Sequence, residues 1–242
     1  MEKIQLDCDQ YKLYSPDSLN YITDEMHHIL LNSIEKYKNL FNIACYKKIQ
    51  INYFDDLDKF RNFIYHLRGE NKSLPEYAQG TYDAGMINAY ISNNIKMDTP
   101  LYKKKLYMAS HELFHIMYME YILKKDYSKR IVWYDEGMAQ YMSGEKDYLL
   151  NLESFKDYYL KVKESTKIYP NLNELKHGNI FYNDDYNGYD LSYLAIRYLS
   201  EILTEKEFKN LLGNFDQIKK YGENILNDMF TFYDEKIISK VK

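Results

Sequence analysis

Residues 106–123, LYMASHELFHIMYMEYIL, are apolar on almost every helical face, yet two histidines and a glutamate sit in their middle. A helix that is apolar all round is one that the fold buries. Imidazoles and a carboxylate buried there without partners would carry a large desolvation cost, so the fold must supply something that offsets it. His111 and His115 stand four apart, and residues so spaced project from one face, one turn above the other. Both rings can therefore converge on one cation at about 2.0–2.1 Å, the bond length of imidazole on zinc. His111-Glu112-Leu113-Phe114-His115 is an H-E-x-x-H pattern. Glu112, one step round the helix, flanks the ion without ligating it and can take a proton from a water held there. A bound zinc ion is the expectation. His27, His28 and His66 carry no such pattern, because adjacent imidazoles point to different faces and His66 is solitary.

A catalytic zinc site takes three protein ligands and keeps one position open. The best third candidate is Glu136, in the stretch WYDEGMAQY that starts at Trp133. The gap 116–135 leaves room for a turn and entry into a second helix, whose first turn would hold Glu136. The helix dipole alone also favours a carboxylate at such a place. Gly137 and Ala139 would let two backbones pack closely. Gln140, one turn further on, could hold a ligand imidazole from outside.

Around this centre the pattern is that of an α+β fold, a small N-terminal lobe with a twisted mixed sheet and a helical C-terminal lobe. Helical spacing of Leu19, Ile22, Met26, Ile29, Leu30, Ile34 and Leu40 predicts a helix over 17–41. Residues 48–54 alternate as a half-buried strand, and Asp55 or Asp56 caps a helix running to Arg68-Gly69. Residues 77–92 read as two short strands with a turn near 83–85. Thr99-Pro100 opens a long helix that continues to about Leu123. A second runs from about Asp135 to Gly144, and 147–242 is helical with a loop around 169–188. The chain reads as one domain over 1–242, with lobes of about 1–123 and 124–242.

Net charge is −4 with both signs interspersed, so no basic field for nucleic acid is present. The Lys103–Lys105 run reads as a solvated helix face, and the 28 tyrosines as compositional drift. No stretch approaches the 18 apolar residues of a membrane span. The N-terminal residues lack the apolar core of a secretory signal, and Cys8 and Cys45 form no metal-like pair. A cytoplasmic location is the expectation. No sequence feature sets an oligomeric state.

HELFH followed by WYDEGMAQY resembles the gluzincin peptidases, above all the aminopeptidase N-like and small bacterial peptidase domains. Those carry H-E-x-x-H and then W-x-x-E-G-x-A, whose Glu is the third zinc ligand. The resemblance implies a zincin-like fold, a zinc-dependent hydrolase acting on peptide or protein substrates, and a ligand role for Glu136. It is closest over 106–144 and extends more weakly over 77–202, with a gap before Glu136 slightly longer than the aminopeptidase branch shows. In such enzymes a Tyr or His steadies the oxyanion; the stretch from Tyr189 resembles the one that carries it, with Tyr186, Tyr193 and His177 as competitors. Asn88-Ala89-Tyr90 resembles the edge-strand motif on which thermolysin-like members bind an extended substrate. The aminopeptidase motif G-x-M-E-N is absent, the nearest string being Gly85-Met86-Ile87-Asn88, and this favours an endopeptidase. The alternatives are a non-catalytic zinc-binding regulatory domain, against which the intact Glu112 argues, and a repressor-cleaving zincin of the antitoxin-peptidase kind.

Overall fold

The computed structural model describes residues 3–44, 47–69, 74, 78–97, 99–176 and 180–238, so Cys45, Tyr77 and His177 lie outside it. Five strands form one mixed sheet: β1 (Lys3–Asp7), β2 (Tyr11–Ser15), β3 (Ile49–Phe54), β4 (Gly80–Asp83) and β5 (Met86–Tyr90), in the order β1-β2-β3-β5-β4. The two inner pairings, β2 with β3 and β3 with β5, are parallel, and the two outer ones are antiparallel. A parallel pair needs a long return connection. Helix α1 (Thr23–Phe41) supplies it between β2 and β3, and α2 (Leu57–Arg68) supplies it between β3 and the β4–β5 hairpin. Asp56 caps α2 by accepting from the Lys59 amide at 2.8 Å, and the helix stops at Gly69. Residues 17–22 of the expected first helix form a tighter 3₁₀ turn before α1 begins.

The two faces of β3 show how the sheet is covered. Phe54 packs with Phe60 and Ile64 of α2. Tyr53, pointing the other way, donates from its hydroxyl to the Leu106 carbonyl at 3.4 Å. The expected long helix after Thr99 is divided. Thr99 caps α3 (Pro100–Leu106), Tyr107 interrupts the helix, α4 (Met108–Met117) carries the histidines, and Tyr118–Ile122 form a wider π turn. Lys105 is buried, not solvated, because three successive helical residues cannot share one face.

Beyond the π turn the chain is helical, with α5 (Val132–Ser143), α6 (Leu152–Ser165), α7 (Gly188–Ile202), α8 (Glu205–Asn210) and α9 (Phe215–Ile238). Buried Trp133, Phe155, Tyr159, Leu194 and Tyr233 form their core. A side chain on Gly137 would reach within 2.5 Å of the Ser192 carbonyl oxygen, so α5 and α7 touch backbone to backbone there. Helix α5 starts at Val132, earlier than expected, which moves Glu136 from its first turn to its second. The chain divides into two compact units, Met1–Met117 with Ser143–Glu145, and Tyr118–Met142 with Lys146–Lys242. Among the described residues no helix is long and apolar enough to cross a membrane.

Candidate metal centre

Helix α4 is pinned before any ligand is considered. Phe114 lies 5.6 Å from the rings of both Tyr37 and Phe41 of α1. The Ser110 hydroxyl meets those of Ser33 at 2.7 Å and Tyr37 at 3.0 Å. With its apolar residues fixed against α1, the helix presents His111, Glu112 and His115 on its less buried side. The Nε2 atoms of the two histidines face each other at 3.0 Å, with ring planes 76° apart. On its other side, His111 Nδ1 lies 3.1 Å from Oε2 of Glu145, whose side chain is 3% exposed.

Glu136 is buried, and Arg130 donates from Nη2 to its Oε1 at 3.1 Å. The Nε of the same guanidinium donates to the fully buried Asp135. His111, His115 and Glu136 each offer one ligand atom, all within 4.8 Å of one another. No other group of three such side chains meets that condition among the described residues. A tetrahedral ion with bonds of 2.0–2.1 Å needs its ligand atoms roughly 3.3 Å apart. The facing nitrogens are close to that separation, and two imidazoles with a carboxylate are a donor set that suits zinc.

No protein-family model and no curated protein matches the sequence. Solved structures do match. An M1 zinc metallopeptidase from Deinococcus radiodurans superposes with a TM-score of 0.53 at 14% identity, over 94% of this chain and 50% of that one. A mutant of the same enzyme gives 0.51 at 14% identity, over 89% and 43%. An aminopeptidase N family protein from Idiomarina loihiensis gives 0.50 at 16% identity, over 89% and 41%. The chain has the fold of the M1 zinc metallopeptidases. It spans half or less of the length of the M1 structures it matches, and at these identities the likeness is one of fold.

Within this M1-like fold the expected substrate strand is displaced. Asn88 and Ala89 are fully buried in β5, which is paired on both sides, and Asn88 Oδ1 accepts from Asn52 at 2.7 Å. The hairpin turn at Ala84-Gly85 places β5, with its end residue Tyr90, inside against β3, and leaves β4 at the edge. It is therefore Gly80 that lies beside the motif helix: a side chain there would come within 2.6 Å of Met108 Sδ and 3.0 Å of Glu112 Oε1.

Tyr189 stands in the first turn of α7. Its amide donates to Asn187 Oδ1 at 3.0 Å, its carbonyl accepts from Gln140 Nε2 at 2.9 Å, and its ring packs edge-on against Phe181. Two competitors are occupied elsewhere. Tyr186 donates to the Ile180 carbonyl, while Tyr193 is buried under the Lys146 ammonium and burial pushes its phenol up to about 12. Gln140 also donates to the Glu136 carbonyl, so its amide nitrogen serves two main-chain oxygens, and the imidazole partner seen at His111 is Glu145. Sequence reasoning missed both Glu145 and Arg130. The only available signal was a carboxylate placed directly after a helix-ending glycine.

Proposed function

We propose that this chain is a zinc-dependent peptidase that cleaves within extended peptide chains. The observation that carries the reading is the convergence of His111, His115 and Glu136, with Glu112 on the same helix as the two histidines. These three side chains would hold the ion. When bound, zinc supplies a Lewis acid that polarises the scissile carbonyl and acidifies water. Glu112 takes the proton from the attacking water and passes it to the leaving amine. Tyr189 donates a hydrogen bond from its phenol to the oxygen on which charge develops, and keeps its proton.

The substrate lies along β4 by strand addition. In an antiparallel ladder, alternate residues bond across to the neighbour. The Tyr90 amide donates to the Gln79 carbonyl at 2.8 Å, so the main-chain groups of Gly80, one residue on, turn towards the edge. The missing side chain at Gly80 leaves an extended backbone room to pass Glu112. An exopeptidase would need an anion there for the substrate's amino terminus. Asp83, the one carboxylate on β4, is instead held by Arg68 in two hydrogen bonds of 2.8 and 2.9 Å, which supports internal cleavage.

Protein purified without added metal should carry zinc near one per chain. Glu112→Gln should keep that zinc and lose about 10²–10⁴ in rate. Wild-type turnover by Glu112→Gln would remove it from the mechanism. Zinc retained by both His111→Ala and Glu136→Ala would sink the ligand assignment, and zinc without hydrolysis by the wild type would favour the regulatory alternative.

A further inference from the structure

We propose that Glu145 is the positioning residue of this centre: its carboxylate holds His111 in the tautomer and ring orientation that turn Nε2 towards the metal. The inference rests on the metallopeptidase reading and adds a residue that the H-E-x-x-H and W-x-x-E-G-x-A patterns do not contain. Helix α5 ends at Ser143, and Gly144 follows with φ +88°, a conformation that side-chain-bearing residues rarely adopt. The three residues Ser143–Glu145 belong to the same compact unit as α4, while the rest of α5 does not.

Their attachment is specific. The Ser110 hydroxyl, shared with Ser33 and Tyr37, donates to the Ser143 carbonyl at 3.4 Å, and the Glu145 amide donates to the Ser143 hydroxyl at 3.3 Å. Ser110 immediately precedes His111, so the tripeptide is fastened to the helical turn that carries the ligand. A carboxylate that is 3% exposed needs a partner, and Oε2 has one in His111 Nδ1 at 3.1 Å. An ionised carboxylate only accepts hydrogen bonds. In the arrangement we propose, Glu145 is ionised, the shared proton sits on Nδ1, and the Nε2 lone pair is left facing His115 and the position that an ion would take. Ring rotation is fixed from the same side, and the negative charge makes the imidazole a better donor to the metal.

The test is zinc affinity, measured by competition with a chromophoric chelator on wild type, Glu145→Ala and Glu145→Gln, each shown to be folded by circular dichroism. Outer partners of ligand imidazoles are worth about 10–100-fold in affinity, so Glu145→Ala should bind zinc weaker by that factor. Glu145→Gln, which keeps the shape and loses the charge, should also bind more weakly than wild type, and it carries the test if the alanine variant does not fold. Nitrogen-15 NMR of the zinc-free protein should show the Nδ1–H tautomer of His111 in wild type and a mixture in the variants, a change that a purely structural role would not produce. Wild-type affinity in the folded variants overturns the role of Glu145 and leaves the metallopeptidase reading standing. A wild type that does not bind zinc at all overturns both.

Discussion

Lys105 places an amine where it is 4% exposed, donates no hydrogen bond among the described residues, and lies 5.3 Å over the ring of Tyr90. Burial, with a smaller contribution from neighbouring Lys104, pushes its pKa from the usual 10.5 down to about 8. The sign follows from linkage. Between about 8 and 10.5 the unfolded chain holds a proton here that the folded one has released, so stability rises with pH across that window. Below it the full cost of a buried ammonium is present. Lys105→Met, which keeps the unbranched stem, should stabilise the protein at pH 7 by roughly 1–3 kcal/mol. That gain should shrink towards zero by pH 10.5, as read by denaturant unfolding of both proteins. An equal gain at pH 7 and pH 10 would mean that packing and not desolvation is responsible. The same residue shows what local reading misses: a lysine run looks solvated until the helix turns one of its members inward. His111 and His115 were legible because their relation is set by one helical turn. Glu145 was not, because a positive-φ glycine returns the chain to α4 and no periodicity records that return.

At the scale of elements, β4 is where sequence and structure part most usefully. Both strands of the hairpin and the turn between them are readable from Asp83–Gly85. Which of the two lies outside depends on β5 finding β3, a contact between strands separated by α2. The Asn-Ala-aromatic string therefore pointed to the inner strand. The N-terminal pair β1–β2 left too short a pattern to separate from loop, and the residue at which the long helix breaks had no glycine or proline to mark it. If β4 carries the substrate, the gap at Gly80 is functional. Gly80→Ala pushes the flexible ends of Met108 and Glu112 aside, which should cost about 1 kcal/mol of stability or less. It should also lower kcat/KM per folded molecule by at least tenfold, since the base itself is displaced. Gly85→Ala is the control: the turn has open space around it and φ +80°, so strain should reduce stability and leave activity per folded molecule unchanged. Equal activity in the two variants would move the substrate off β4.

For the whole molecule, the three side chains that could hold a metal ion come from segments far apart in the sequence, the histidines from α4 and Glu136 from α5. The M1 likeness is one of fold rather than of sequence, which is 14–16% identical to the three structures compared above. An unfolded chain has no such constellation, so an ion held there would bind the native state alone and its binding free energy would become stability. With free zinc held 100-fold above its dissociation constant, the gain is about 2.7 kcal/mol. For a chain of this size each kcal/mol raises Tm by about 2–4 °C, which predicts a shift of roughly 5–10 °C between zinc-loaded and chelator-stripped protein. Glu112→Gln should show the full shift, because the base does not ligate, whereas Glu136→Ala should show little of it. That pairing separates metal binding from catalysis in an experiment that needs no substrate. A full shift in Glu136→Ala would mean that α5 supplies no ligand, and the third donor would have to be sought elsewhere around α4.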